Sequence, residues 1–400
     1  MLDLYWGEFL ISPIPLHLSL NYCSDKCSYC FANLGNPGRR ANLQPIMNLL
    51  ADYPNRTTPV AKLLQAGYPV CVSNLVDPLA LSNVEQAMPI MKLITALGIG
   101  VQVQTKGGRQ RDVDELLSFL PPSVFYVSIA MQDDDLRAKI EPNAPSIDHR
   151  LQLLRQLSAS GHRVVVGLNP LVPEWLPDPV PLLEAVREAG ATGVWVERLH
   201  LSVRQQAAMT ERERQVVGEP ALRRARLRGP DKSELNHFNQ ARRQAADLGL
   251  ECFSIGQGIS STFFAPYEQT YPTFPTMQGF INQCHAEGVG RMISFADFCA
   301  YFEPKLPSWS GNISHYIGAV ARAVGREDRG GQKLPATANY RDILRLIWQD
   351  RRIRQCPVRY ECFGWAAERG ADGWVQLVDE EGLPYLRFVP GGVSDYYTAV

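Results

Sequence analysis

A chain of 400 residues exceeds one small domain and suits two or three of ordinary size. Hydrophobic residues make up 45% of it and charged residues 20%, the composition of a globular protein with a large core, which excludes a disordered polymer. Lys and Arg number 40 against 41 Asp and Glu, so only local patches, not a whole-chain field, can attract nucleic acid or a membrane.

The opening, MLDLYWGEFLI, lacks a basic n-region and a cleavage site, and no apolar run reaches the ~18 residues that span a bilayer. A cytoplasmic protein without a membrane partner is expected. Short β-branched or apolar runs then alternate with amphipathic segments. Strands are expected at 14–21, 68–74, 98–106, 123–130, 163–173 and 192–201, and helices at 57–66, 81–97, 112–120, 146–160 and 178–189. Asp112 and Ser146 stand at N-cap positions, and Gly98, Gly161 and Gly190 follow last helical turns. Strands separated by helices imply parallel pairing with crossovers, hence an α/β fold: a partial (β/α)6 TIM-like barrel over residues 1–201. Residues 202–400 lose this rhythm and form a mixed α+β extension that would cover the substrate. It reads as helical over 203–248, with a further strand at 250–256, helices at 313–324 and 340–351, and a terminal hairpin over 374–390 turning at 380–384.

The stretch CSDKCSYCF, residues 23–31, concentrates three of the nine cysteines directly after the first strand, where a β/α barrel places its active site. Such spacing outside a disulfide framework points to metal or redox chemistry. Three thiolates from Cys23, Cys27 and Cys30 suit three irons of a [4Fe-4S] cube and leave the fourth open. A zinc site completed from elsewhere in the chain, or unrelated core thiols, are the alternatives.

CxxxCxxC with an aromatic before its last cysteine, at the end of the first strand of a partial barrel, resembles the radical S-adenosylmethionine (SAM) superfamily. In that family the open iron binds the amino and carboxylate groups of SAM, and an electron from the cluster releases a 5′-deoxyadenosyl radical. The usual Gly-Glu-Pro after the second strand is absent. CVSNLVDP (71–78) stands there instead and resembles the spore photoproduct lyase branch, as do VQTKGG (103–108), YVSI (126–129) and IEPNAPSIDHRL (140–151) in the same order. The resemblance covers residues 14–200. It implies that Tyr29, Ser73, Lys106 and Ser128 contact SAM, that Cys71 donates a hydrogen atom to a product radical, and that flavodoxin or ferredoxin supplies electrons. A strand-end lysine, loop-capping serines and an inert buried thiol are the plainer readings of Lys106, the serines and Cys71. Glu141 and Arg150 read as a structural ion pair. Where the lyases carry tyrosine after the third cysteine, this chain has Phe31, which has no O–H for a relay.

The resemblance implies a DNA substrate, a thymine-type base that is repaired or, as in phage-type hypermodification, modified; a peptide or small metabolite is the alternative. A nucleic-acid-binding protein with only a structural metal site is a third reading. Arg223, Arg224, Arg226 and Arg228 fall within ALRRARLRGPDK and are candidate phosphate contacts. Cys252, Cys284, Cys299, Cys356 and Cys362 have irregular spacing and read as free thiols, with CPVRYEC (356–362) a weak candidate for auxiliary cluster ligands. His200 closes the sixth strand, either near an adenine or as an ordinary strand-end histidine.

Overall fold

The computed structural model describes residues 3–6, 16–20, 22–34, 42–72, 76–227, 230–253, 277–303, 340–351, 356–360, 362–371 and 373–389. Eight strands form one sheet in chain order: β1 (Asp3–Trp6), β2 (Leu16–Ser19), β3 (Val70–Val72), β4 (Val101–Thr105), β5 (Val124–Ser128), β6 (Arg163–Leu168), β7 (Gly193–Val196) and β8 (Glu251–Phe253). From β3 to β8 every pairing is parallel. The fold is a partial β/α barrel.

All six expected strands are present as β2 to β7, and the run at 250–256 supplies β8. The helices that follow the strands are α1 (Gln44–Asp52), α3 (Val84–Ala96), α4 (Gln110–Phe119), α5 (Asp134–Ile140), α6 (Ile147–Ala159) and α7 (Val180–Glu188), with α2 (Pro59–Gln65) before β3. Ser146 caps α6 by accepting from the His149 amide at 3.3 Å. Gly98, Gly161 and Gly190 take φ of 74°, 79° and 94° just past their helices, a conformation that favours glycine. Asp112 does not cap α4. The helix starts at Gln110, and the Asp112 carboxylate is buried in its first turn, receiving the Arg109 Nε at 2.6 Å.

Register separates the two faces of the sheet. In-register partners in parallel strands share a face, so Val70, Val72, Val101, Val103, Phe125, Val127, Val164, Val166, Val194 and Val196 form one apolar surface. Helices α3 and α6, with α11 (Lys232–Asp247), pack against these strands. The opposite face, the inside of the barrel, carries Cys71, Gln102, Gln104, Tyr126, Ser128, Gly167 and Trp195. Gly167 is required there because a Cβ would run into the Tyr126 ring and hydroxyl. Replacing Gly167 with Ala is therefore expected to overpack the barrel and cost about 1–3 kcal/mol, read as a lower urea midpoint.

The chain divides into two compact units. The first comprises Met1–Tyr5, His17–Tyr53 and Pro69–Ser254, the second Trp6–Leu16, Pro54–Tyr68 and Ile255–Val400. Residue 201 is not the boundary between them. Helices α8 (Val203–Ala207), α9 (Glu211–Val217), α10 (Glu219–Ala225) and α11, together with β8, belong to the barrel unit, since α11 packs on β7 and β8.

The second unit has an antiparallel sheet of β10 (Phe363–Trp365), β13 (Leu386–Phe388) and β9 (Met292–Ile293), and a separate ribbon of β11 (Ala367–Gly370) and β12 (Gly373–Gln376). Its helices include α12 (Met277–Glu287), α13 (Phe295–Phe302) and α14 (Tyr340–Gln349). Aromatic rings fill its core: the Phe280 centroid lies 5.2 Å from Phe298, and Phe298 lies 5.2 Å from Trp348. The helix expected at 340–351 is α14, while the one at 313–324 lies outside the described residues. The terminal hairpin is present only near its tip, where Asp379 N bonds Leu383 O at 2.8 Å and Tyr385 N bonds Leu377 O at 3.0 Å. Beyond the tip β12 pairs with β11, and β13 pairs with β10 and β9. Among the described residues no helix is long and apolar enough to cross a membrane.

Candidate active site

Parallel strands put their C-terminal ends on one edge, so the residues that end β4 and β5 become neighbours. Lys106 follows β4 and Ser128 closes β5. The Lys106 ammonium donates to Ser128 Oγ at 2.8 Å, to the Tyr29 hydroxyl at 3.0 Å and to Glu141 Oε1 at 2.8 Å. Tyr29 in turn donates to the same Glu141 oxygen. The other Glu141 oxygen receives Arg150 Nη2, while Arg150 Nη1 bonds Ser128 O at 3.0 Å and its Nε bonds Pro145 O at 3.0 Å. Glu141 and Arg150 form the expected ion pair, and both are fully buried.

This pair also anchors two of the residues expected to contact a cofactor. Burial alone would raise the Glu141 carboxyl, but the Arg150 guanidinium and the Lys106 ammonium beside it hold it well below the ordinary carboxylate range. Burial pulls down the pKa of Lys106, only 14% exposed at its side chain; the Glu141 charge opposes this, and the net shift is upward. The Tyr29 ring packs against Trp175 at 5.3 Å, which covers the cradle with apolar surface.

The cysteine loop is fixed to the same place. Ser28 N bonds Ile140 O at 2.8 Å, Asn143 N bonds Asp25 O at 3.2 Å, and Asn143 Nδ2 bonds Ser24 O at 2.8 Å, so the turn after α5 holds the loop. The loop bends sharply at Lys26, whose φ is 53°. Cys23 and Cys27 are buried, Cys30 is half-buried, and none is in a disulfide. Burial raises all three thiols, so without a metal they keep their protons. Backbone amides at Asp25 and Asp77 pull the Cys23 thiol partly back down, as those at Asn33 and Ala32 do for Cys30.

Amides that favour the thiolate form, on sulfurs that are largely buried, are what a cluster ligand set requires. The donor set therefore fits a [4Fe-4S] cluster. Among the described residues no three His, Cys, Asp or Glu side chains stand in single-ion geometry. Thiolates that each bind a different iron of a cube have no need of it.

Two buried acids at this edge were not expected from sequence. Asp77 takes Thr105 Oγ1 at 2.7 Å, Leu79 N at 2.9 Å and the Lys106 amide, which fixes the start of the β4 loop. Burial, and then the Asp77 charge, push the Asp25 carboxyl up to about 7. Both lie inside quoted motifs, CSDKC and NLVDP, but nothing in a linear pattern separates a buried loop aspartate from a solvated one.

Cys71 lies on the inner face of β3, fully buried, and burial pushes its thiol up to about 12, so it is a protonated S–H at neutral pH. Ser73 and Arg228 lie outside the described residues. Phe31 is 46% exposed. His200 is largely exposed and bonds the buried Glu197 at 2.9 Å.

The basic segment departs from expectation. Arg224 is buried, paired with Glu174 and 3.8 Å from Glu234, where Arg198 also bonds Glu234 at 2.8 Å. It stabilises the packing of α10 and α11 and is closed to a phosphate. Arg226 commits its Nε to Gln206 at 2.6 Å, and Arg223 remains exposed. Cys284, Cys299 and Cys356 are buried thiols raised by burial to about 11, 12 and 12, with Cys356 bonded to Trp348 O at 3.5 Å.

No family model matches the chain. Among curated proteins it is similar to uncharacterized proteins of Mycobacterium tuberculosis and Mycobacterium bovis, 30% identical over 203 residues. The match covers 45% of this chain and 56% of the relative, about half the length of these relatives. Among solved structures it is similar to a spore photoproduct lyase complexed with dinucleoside spore photoproduct, at 16% identity and TM-score 0.48, covering 64% of this chain and 79% of that one. SuiB of Streptococcus suis bound to S-adenosylmethionine gives 13% identity and TM-score 0.41 over 62% of this chain and 53% of that one.

Proposed function

We propose that the chain is a radical SAM enzyme. The observation that carries this reading is the convergence of Tyr29, Lys106, Ser128 and Glu141 on one hydrogen-bonded cradle beside the three-cysteine loop. Cys23, Cys27 and Cys30 would hold a [4Fe-4S] cluster, and Lys106, Ser128 and Tyr29 would receive the polar groups of SAM. When bound, the cluster and SAM supply one-electron chemistry that ends in hydrogen abstraction from substrate. The protein contributes placement: cation and hydroxyls at adjacent strand ends hold a carboxylate, Trp175 and the apolar surround exclude water, and Cys71 holds a proton on sulfur inside the barrel.

For the substrate we infer a thymine-type base in DNA, repaired or modified; the motif order from Cys71 to Arg150 supports it. Phe31 removes the tyrosine relay of the lyases and favours a different product. A peptide or small metabolite is the second reading, favoured by the burial of Arg224.

Mass spectrometry of nucleosides from cells with and without the active gene, joined to assays on ultraviolet-damaged DNA, tests the DNA reading. A new or lost nucleoside supports it; no change in either assay transfers the proposal to the second substrate class. Cys71→Ala is expected to keep SAM cleavage and alter the product, because the donor thiol is gone. An unchanged product assigns Cys71 to packing.

A further inference from the structure

All three protons of the Lys106 ammonium are already committed inside the protein, to Ser128, Tyr29 and Glu141. An ammonium has three donors and no acceptor, so a ligand carboxylate reaches it only if one of these partners yields. Ser128 and Tyr29 are hydroxyls that gain little from a cation; Glu141 is the anion, and the one partner a ligand carboxylate resembles.

The geometry allows Glu141 to yield. Its two oxygens are divided: one faces Lys106 and Tyr29, the other faces Arg150. If Lys106 turns away, Glu141 keeps Arg150 and the Tyr29 O–H, so no buried charge is left alone, which is the costly outcome for a buried ion. Arg150 is in turn locked by Ser128 O and Pro145 O and cannot follow Lys106. Two cations and one carboxylate are in direct contact there, with the Asp25 and Asp77 carboxylates close enough to act on the Lys106 charge. Asp77 does not compete for the ammonium itself, since its oxygens accept from Leu79 N, Thr105 Oγ1 and the Lys106 backbone amide.

We propose that Glu141 is a placeholder that Lys106 exchanges for the carboxylate of an amino-acid ligand, with Arg150 as the positioning residue that keeps Glu141 paired during the exchange. The ligand class rests on the SAM reading above; the exchange is additional to it.

The experiment is equilibrium binding to the cluster-reconstituted protein of SAM and of 5′-methylthioadenosine, which keeps the adenosine and lacks the carboxylate. Arg150→Met leaves Glu141 with Lys106 as its one cation in direct contact, beside the Tyr29 O–H, and is expected to weaken SAM about tenfold, within the range of one charge-assisted hydrogen bond. Glu141→Gln removes the competitor and is expected to bind SAM at least as tightly as the parent, and the double variant to return to the parent's affinity. Neither change moves 5′-methylthioadenosine.

A merely structural ion pair predicts that both single variants lose affinity for both ligands. Weaker SAM binding by Glu141→Gln, or unaltered binding by Arg150→Met, overturns the exchange. Should Arg150→Met fail to fold, Arg150→Gln, which removes the charge but keeps a side-chain N–H donor, takes its place with the same expected sign. If the parent holoprotein binds no SAM, the cofactor reading fails first.

Discussion

Cys30→Ala is expected to abolish SAM cleavage, with no 5′-deoxyadenosine formed after anaerobic reconstitution and dithionite, while the barrel stays folded. The thiol is half-buried in a loop whose backbone is held by Ile140 and Asn143 through atoms the substitution leaves in place, so the fold has little reason to respond. The cluster has every reason to. It loses one of three ligands, and the Asn33 and Ala32 amides lose the sulfur they face. The check is paired: iron and sulfide content with visible absorption for the cluster, and product analysis for the chemistry. Parent-level cleavage in the variant would remove the catalytic reading of the triplet.

Lys106→Met separates cofactor binding from cluster assembly. The cluster should form normally, since Lys106 donates to no cysteine in the cradle, whereas SAM affinity should fall by about ten- to a hundredfold, the loss of one or two hydrogen bonds from a charged donor. Stability responds too, and its sign with pH follows from Glu141. This carboxyl has an ordinary value of 4.5 and lies well below it in the folded chain, so its contribution is fully present above about 4.5 and fades as pH falls through the range beneath it. Removing the Lys106 ammonium takes away one of the two cations that hold it down. The variant should therefore unfold at a higher pH than the parent in an acid titration followed by circular dichroism. Identical acid midpoints would mean that Arg150 alone sets the Glu141 charge.

Much of this arrangement was legible in the sequence because it rests on periodicity. The six strands, the last residues of β4 and β5, and therefore the proximity of Lys106 and Ser128, follow from parallel strands having one C-terminal edge. The Glu-Pro before α6 and the Arg in its second turn were readable as an ion pair for the same reason, since both ends of the pair lie on one short connection. What was not legible depends on contacts between distant loops. Asp25 and Asp77 are buried because the cysteine loop, the β3 loop and the Lys106 amide meet, and Arg224 is buried because α10 lies against Glu174 and Glu234. For Asp25 and Arg224 the sequence offers a charged residue in a polar stretch, the ordinary signature of a solvated surface, and Asp77 precedes a proline as loop aspartates commonly do. Asp112 misled for a smaller reason: an aspartate in the first turn of a helix serves the Arg109 side chain as well as it would serve as a cap.

The clasp between the cysteine loop and the turn after α5 bears on the order of events during synthesis. Asn143 reaches back 119 positions to Ser24, and Glu141 reaches back 112 to Tyr29. A ribosome that has delivered only the first hundred residues has exposed every thiol of the triplet and the Ser82 contacts to Tyr22 and Ser24, but not the turn at 140–143 that clasps their loop. Closing so long a loop is an entropic cost met only when the intervening strands have assembled. Under the proposed function, iron and sulfide would meet a half-shaped, oxidisable peptide early and a finished receptacle late, so cluster insertion belongs after translation of β5 and α5, and chains truncated before residue 140 should emerge without a cluster.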